Sequence, residues 1–280
     1  MGTGDEPRDR DRPAVTIVTP LYDSEQFVPG LLANIARQTF GGWEHLVIDD
    51  RSSDRGPDLV RAHAAREPRC RLLTMDRRGG PGAARDRALA EARGRWVAFL
   101  DADDRWLPAK LARQVAFMRD GGIGFSYHDY RFMSADGARI GALVRGPARL
   151  TFAGLHRHRG VGCSTVMVDR ERVPDLAFSR VKAARASDFV AWREVIRGGV
   201  EGRRLPEDLA RYRVGTRSFS SNKLWATTSM WDVFRDQGRT PTPLAAAWWA
   251  EYASKAALLH LRSNPRLPVL SRTHDPSVLE

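Results

Sequence analysis

The 280-residue sequence predicts an α/β protein built on a mostly parallel, doubly wound sheet with helices on both faces and a helical extension at its C-terminal end. Three observations predict it. Short runs of β-favouring residues alternate with helix-period segments over roughly the first 120 residues. Acidic residues stand directly after two of these runs, at Asp49-Asp50 and at Asp101-Ala102-Asp103-Asp104, where an open α/β sheet binds its ligands. Between them a Gly-rich turn, Gly79-Gly80-Pro81-Gly82, opens a helix, and a helix start favours anions.

Each element has its own justification. Residues 15–19, Val-Thr-Ile-Val-Thr, form the first strand, which Pro20 is expected to stop. Phe27, Leu31 and Ile35 then recur at helical spacing, with Pro29 tolerable in the first turn. Residues 45–48 form a second strand, and Leu59, Val60 and His63 share one face of the helix that follows. A short strand at 71–73 precedes the Gly-rich turn and an Ala-rich helix to about Arg93. The apolar run from Trp96 to Leu100 is the buried strand that carries the second acidic group.

Beyond Ile123 the pattern changes. Residues 125–127 read as a strand, Asp136-Gly137 as a hairpin turn, and 162–168 as a strand returning to the sheet. Residues 187–196 read as a helix with Ser187 as its N-cap. From about Leu224 two helices are expected, around Trp231 and around Trp248-Trp249. Residues 1–13 are charged without an apolar centre and read as a disordered lead-in, and the Pro-bearing tail after Asn264 is expected to fray.

The formal charge of +11 first suggests a nucleic-acid or anionic-membrane partner. Only four of the 45 basic residues are lysine, however, and the arginines are scattered rather than grouped into a binding tail. Nucleic acid is therefore not the expected partner, whereas arginine suits diphosphates through its planar fork of donors. Cys70 and Cys163 offer neither metal spacing nor a disulfide framework, which fits reduced thiols in a cytoplasm. No apolar run approaches the ~20 residues of a membrane span. Trp248 and Trp249 read first as core; docking the C-terminal helix on a membrane surface is the second reading.

Carboxylates packed as tightly as Asp101, Asp103 and Asp104 repel one another unless something positive sits among them. A hard cation, Mg²⁺ or Mn²⁺, bridging Asp101 or Asp103 to a substrate phosphate would resolve the repulsion. Each part also has a plain explanation. The acids could cap the following helices, the glycines could make a tight connection, and Arg85 could pair with Asp86 or Glu91 on the surface. Their order along successive strand ends favours a nucleotide site.

Five segments carry a resemblance to the family 2 glycosyltransferases of GT-A fold, whose sheet is Rossmann-like. They are residues 15–22, the run Val47-Ile48-Asp49-Asp50-Arg51-Ser52-Ser53-Asp54, Gly82-Ala83-Ala84-Arg85-Asp86, Phe99-Leu100-Asp101-Ala102-Asp103-Asp104 and residues 106–111. The likeness is dense over 14–120 and thinner to 223. It implies one GT-A domain over 14–223, with a nucleotide-binding half to 120 and an acceptor half from 121, followed by a helical extension over 224–280.

The same resemblance implies a nucleotide-diphosphate sugar donor, most often a UDP-sugar, and an acceptor hydroxyl on a glycan, a lipid-linked glycan or a small metabolite. Asp50 is then expected to contact the uracil with Ser52 beside it, while main chain at Thr19, Pro20 and Tyr22 encloses the nucleoside. Arg85 is expected near the diphosphate. Asp101, with Ala102 next to it, approaches the ribose or metal, and Asp103 is the principal metal ligand. Relatives carry an acidic pair at a helix start with a Trp soon after; Ser187-Asp188-Phe189-Val190-Ala191-Trp192 fits, with Ser in place of Glu. Asp188 is the expected general base.

Arg217, Ser221 and Lys223 lie in a stretch expected to close over the diphosphate. Gly162-Cys163-Ser164-Thr165 is expected on the sugar or acceptor side, with Cys163 packed. His128 and Asp129 follow a strand and read as acceptor-facing or, more simply, structural. Two departures from the family pattern stand out: Asp86 where Asn is common, and Arg51 where Gly is. A sugar-nucleotide pyrophosphorylase is the enzymatic rival, but its Gly-rich basic loop should follow the first strand, where this chain has Thr19-Pro20-Leu21-Tyr22-Asp23. A non-catalytic basic module finds no basic-aromatic motif to support it.

Overall fold

The computed structural model describes residues 12–157, 161–179, 186–215, 231, 233–235 and 239–263. Strand β1 (Val15–Leu21) lies between β2 (Trp43–Asp49) and β4 (Trp96–Phe99), with β3 (Cys70–Thr74) outside β2 and all four parallel. Parallel neighbours need long crossovers, and α1 (Val28–Ala36), α2 (Gly56–Ala64) and α3 (Gly80–Glu91) supply them. The acidic turn after β4 leads into β5 (Arg105–Trp106) and α4 (Lys110–Gly121). A hairpin joins β6 (Phe125–Met133) to β7 (Ile140–Val144), and its turn places Gly137 at φ +77°, as Asp136-Gly137 predicted.

Next come β8 (Arg149–Leu150), α5 (Phe152–Arg157), a 3₁₀ turn over Cys163–Thr165 and β9 (Met167–Asp169). The chain continues through α6 (Ser187–Arg197) and β10 (Gly202–Arg213) to α7 (Thr242–Ser263). The sheet runs β3-β2-β1-β4-β9-β6-β10-β5, with β7 beside β6 and β8 beside β10. The long ladders are parallel; β9 runs antiparallel to both β4 and β6 and so joins the two parallel parts.

Side chains alternate across a strand, and the two faces bury different partners. Ile17 joins Leu31, Ile35, Leu111 and Met118 beneath α1 and α4, whereas Val18 joins Ala84, Ala88 and Trp192 beneath α3 and α6. Helices therefore cover both faces. A third cluster packs Trp248 and Ala245 of α7 against Val190 of α6 and Phe234. There Trp248 stacks on His156 at a centroid distance of 4.1 Å. Its burial bears out the core reading of Trp248. Among the described residues no helix is long and apolar enough to cross a membrane.

Three expectations need correction. Pro20 does not end β1, which stays in register with β2 through Leu21 and Asp49. Leu21 uses its carbonyl toward β2, where it accepts the Asp50 N–H. Pro20 therefore turns its missing donor to the other side, past the last pairing of Val18 with Phe99 on β4. Second, residues 162–168 are strand only from Met167; before that the chain makes the 3₁₀ turn. Third, Ser187 is the first residue of α6 rather than its cap; Ala186 holds the cap position, and no side chain bonds there.

Candidate active site

Because β1, β2 and β4 are parallel, their C-terminal ends meet on one edge, where the acids that follow β2 and β4 lie. Asp50 is buried, and its two carboxylate oxygens accept the N–H groups of Gly79 and Gly80, each at 2.7 Å. The anion favoured by this helix start is thus the protein's own carboxylate, not an incoming phosphate. The bonds fix the Gly-rich turn to the end of β2. Ser52 bonds back across the same corner, its N–H to Asp49 at 2.9 Å and its hydroxyl oxygen accepting the Asp23 N–H at 3.2 Å. Tyr22 is exposed beside them, with the Arg78 guanidinium 3.8 Å from its ring centroid. Thr19 is buried and bonds the His45 ring through its hydroxyl at 3.0 Å.

Arg85 leaves α3 toward β4 rather than toward the surface. It is 4% exposed and donates to Asp101 Oδ1 at 2.6 Å, while its Nε has no partner among the described residues. The alternative surface partners are occupied elsewhere: Glu91 pairs with Arg87, and Asp86 accepts the Phe178 and Ser179 N–H groups at 2.7 and 2.8 Å. A carboxylate only accepts, so Asp suits this position without the amide of the family's usual Asn.

The acidic turn is pinned from below by a residue whose role the sequence did not reveal. Ser164 donates to Asp104 Oδ2 at 2.6 Å and accepts the Asp101 N–H at 3.1 Å. Its carbonyl accepts the Trp106 indole N–H at 2.6 Å. Asp104 is almost wholly buried and also accepts the Arg213 N–H at 2.9 Å. Burial, reinforced by Asp103 and Asp101, pushes its pKa well above the usual carboxylate range. Asp104 is thus the strut of the turn, whereas Asp101 and Asp103 are only half-buried.

Asp188 arrives on the first turn of α6. Gly82 permits the approach: a Cβ there would lie 2.9 Å from the Ser187 Cβ. Asp188 Oδ1 accepts the Phe189 N–H at 2.8 Å. Burial raises its pKa, the nearby Arg85 charge and the Phe189 N–H work against that rise, and Asp101 adds to it. The result is a carboxylate more basic than usual, close enough to Arg85 and Asp101 to feel both charges.

No group of three or more metal-ligating side chains occurs among the described residues. The donors present are carboxylate oxygens on one rigid turn, and one oxygen of Asp101 is already held by Arg85. That set fits Mg²⁺ or Mn²⁺, which commonly takes one or two carboxylates and completes its shell with phosphate oxygens and water. It does not fit an all-protein cage.

Not every predicted residue joins the site. His128 is fully buried with its Nδ1 bonded to the Asp129 carbonyl, and Asp129 is buried in an ion pair with Arg204 at 2.9 Å. Both are structural. Cys163 is packed, and burial pushes its thiol well above the ordinary range. Arg217, Ser221 and Lys223 lie outside the described residues, as do residues 1–11 and 264–280.

The model of glycosyl transferase family 2 matches residues 16–148. TuaG of Bacillus subtilis, named as a teichuronic acid biosynthesis glycosyltransferase, is 30% identical over 88% of this chain and 96% of its own length. The chain belongs to glycosyltransferase family 2. The Escherichia coli enzyme WfgD, a UDP-Glc:α-D-GlcNAc-diphosphoundecaprenol β-1,3-glucosyltransferase by name, is 32% identical over 81% of this chain and 87% of its own. Among solved structures, S. aureus TarS residues 1–349 superpose with a TM-score of 0.62 at 17% identity, covering 90% of this chain and 75% of that one. The mannosyltransferase PcManGT of Pyrobaculum calidifontis gives 0.64 at 21%, covering 92% and 77%. This glycosyltransferase therefore has the GT-A fold.

Proposed function

We propose that this family 2 enzyme transfers a sugar from a UDP-sugar to a hydroxyl of a lipid-linked glycan, with inversion at the anomeric carbon and with a divalent cation. The observation that carries the reading is the Arg85–Asp101 pair at 2.6 Å, formed between α3 and the turn after β4, with the start of α6 that bears Asp188 packed against α3 at Gly82. WfgD, named for a UDP-Glc donor and an undecaprenyl-linked acceptor, supports the substrate class. Such an acceptor places the protein at the cytoplasmic membrane surface as a peripheral enzyme.

Asp50, Ser52 and main chain at Thr19, Pro20 and Tyr22 enclose the nucleoside, and Arg85 faces the diphosphate. Asp103 and Asp101, with Ala102 between them, would hold Mn²⁺ or Mg²⁺, which when bound stabilises charge on the departing diphosphate. Asp188 takes the proton of the acceptor hydroxyl as that oxygen bonds the anomeric carbon and the bond to UDP breaks.

Asp188→Asn is expected to leave UDP binding unchanged and lower kcat by ~10²–10⁴-fold, the usual worth of a general base. Normal turnover in that variant removes the proposed base. Asp103→Ala is expected to abolish the thermal stabilisation that UDP gives only with Mn²⁺. Because the folded pKa of Asp188 lies above the ordinary 3.8, kcat should fall with decreasing pH before an unperturbed aspartate protonates. A flat kcat profile down to pH ~4 contradicts that assignment.

A further inference from the structure

Strand β10 ends at Arg213, and both the backbone and the side chain of this residue bind the acidic turn. Its N–H donates to Asp104 Oδ1 at 2.9 Å, and its Nε donates to the Asp103 carbonyl at 2.7 Å. The same guanidinium reaches the β6–β7 hairpin, where Nη1 donates to the Ala135 carbonyl at 2.8 Å and the Ser134 carbonyl at 3.3 Å. Arg213 is 7% exposed, and its guanidinium carbon stands 5.2 Å from the Phe27 ring centroid. The hairpin has a glycine where the guanidinium passes: a Cβ on Gly137 would lie 3.3 Å from Nη1.

We infer that Arg213 is a positioning residue for the metal-facing turn, holding the Asp103 main chain so that its carboxylate leaves in one direction. The inference rests on the reading of Asp103 as the cation ligand. A main-chain carbonyl fixed at 2.7 Å limits the peptide plane after Asp103, and the Asp104 anchor fixes the next residue. With both ends of that peptide held from β10, the Asp103 side chain has fewer backbone states to sample before a ligand arrives. Only a planar fork with several donors serves carbonyls from two separate segments at once; a lysine ammonium on a flexible stem satisfies fewer of them and fixes none in plane. The positive charge also lies beside Asp103 and Asp104, where it offsets their mutual repulsion.

The test measures Mn²⁺ affinity in the presence of UDP, from the free-Mn²⁺ electron paramagnetic resonance signal, for the parent, Arg213→Lys, Arg213→Gln and Asp103→Ala. Uridine binding in EDTA and the unfolding midpoint of each variant accompany it. Loss of groups that orient metal ligands typically weakens metal binding ~10–100-fold, and the two Arg213 variants are expected in that range with uridine binding unchanged. Arg213→Lys keeps the charge and the stem, so it supplies the answer where Arg213→Gln does not fold. Parent-like Mn²⁺ affinity in Arg213→Lys, alongside lost affinity in Asp103→Ala, overturns the inference and leaves the metal reading standing. Parent-like affinity in Asp103→Ala overturns both.

Discussion

Arg51 holds φ at +66°, in the left-handed region, directly after the paired acids of β2. A Cβ in that region costs roughly 1 kcal/mol against glycine, part of which is returned because glycine has more freedom to lose on folding. Arg51→Gly should therefore raise stability by roughly 0.5 kcal/mol, read from the urea midpoint; an unchanged or lower midpoint contradicts the strain. The position also shows what was legible at this scale. The family's usual glycine there, an exposed turn and the grouping of acids directly after β2 and β4 could all be read along the chain. Ser164 could not, because its function is to touch Asp101 from 63 residues away, and no local pattern encodes that. Nor could spacing alone say which of three neighbouring acids would be buried; Asp104 is buried because Ser164 and β10 close over it.

At the level of elements, periodicity found the strands and helices from β1 to β4, and the misplacements have physical causes. Pro20 reads as a stop only if both edges of β1 need donors, and beyond Phe99 one edge does not. The second half was less legible because its strands pair across long insertions and in both directions. The contact of α3 with α6 is where element packing meets chemistry. Gly82→Ala would put a methyl 2.9 Å from the Ser187 Cβ, next to the proposed base and well inside normal contact. Overpacking of this kind costs ~1–3 kcal/mol, and a shift of ~1 Å in a catalytic group can cost ~10²-fold in rate. Gly82→Ala is expected to lower kcat by at least tenfold while the protein still folds and binds UDP. Parent-like kcat in the folded variant would show that α6 has slack at this contact.

For the whole molecule, the large positive charge comes from dispersed arginines, many of them in ion pairs, while two histidines deep in the sheet are held without charge. Burial, with a smaller push from His63, drives the pKa of His45 down to about 3. Burial, with Lys110 nearby, does the same for His128, also to about 3. The ordinary value is 6.5, so between these limits the unfolded chain binds protons that the folded chain refuses. Stability then rises with pH across this window and is lost as pH falls from about 6.5 toward 3. Each histidine contributes a slope of up to about 1.4 kcal/mol per pH unit where its unfolded form is protonated and its folded form is not. The raised carboxylates Asp104 and Asp188 act in the opposite sense, so the difference between variants is more informative than the total. His45→Gln can still bond the Thr19 hydroxyl and does not titrate. Between pH ~4 and ~5.5 its unfolding free energy should depend on pH less steeply than the parent's by about one proton. Equal slopes would mean that His45 takes up its proton inside the folded sheet.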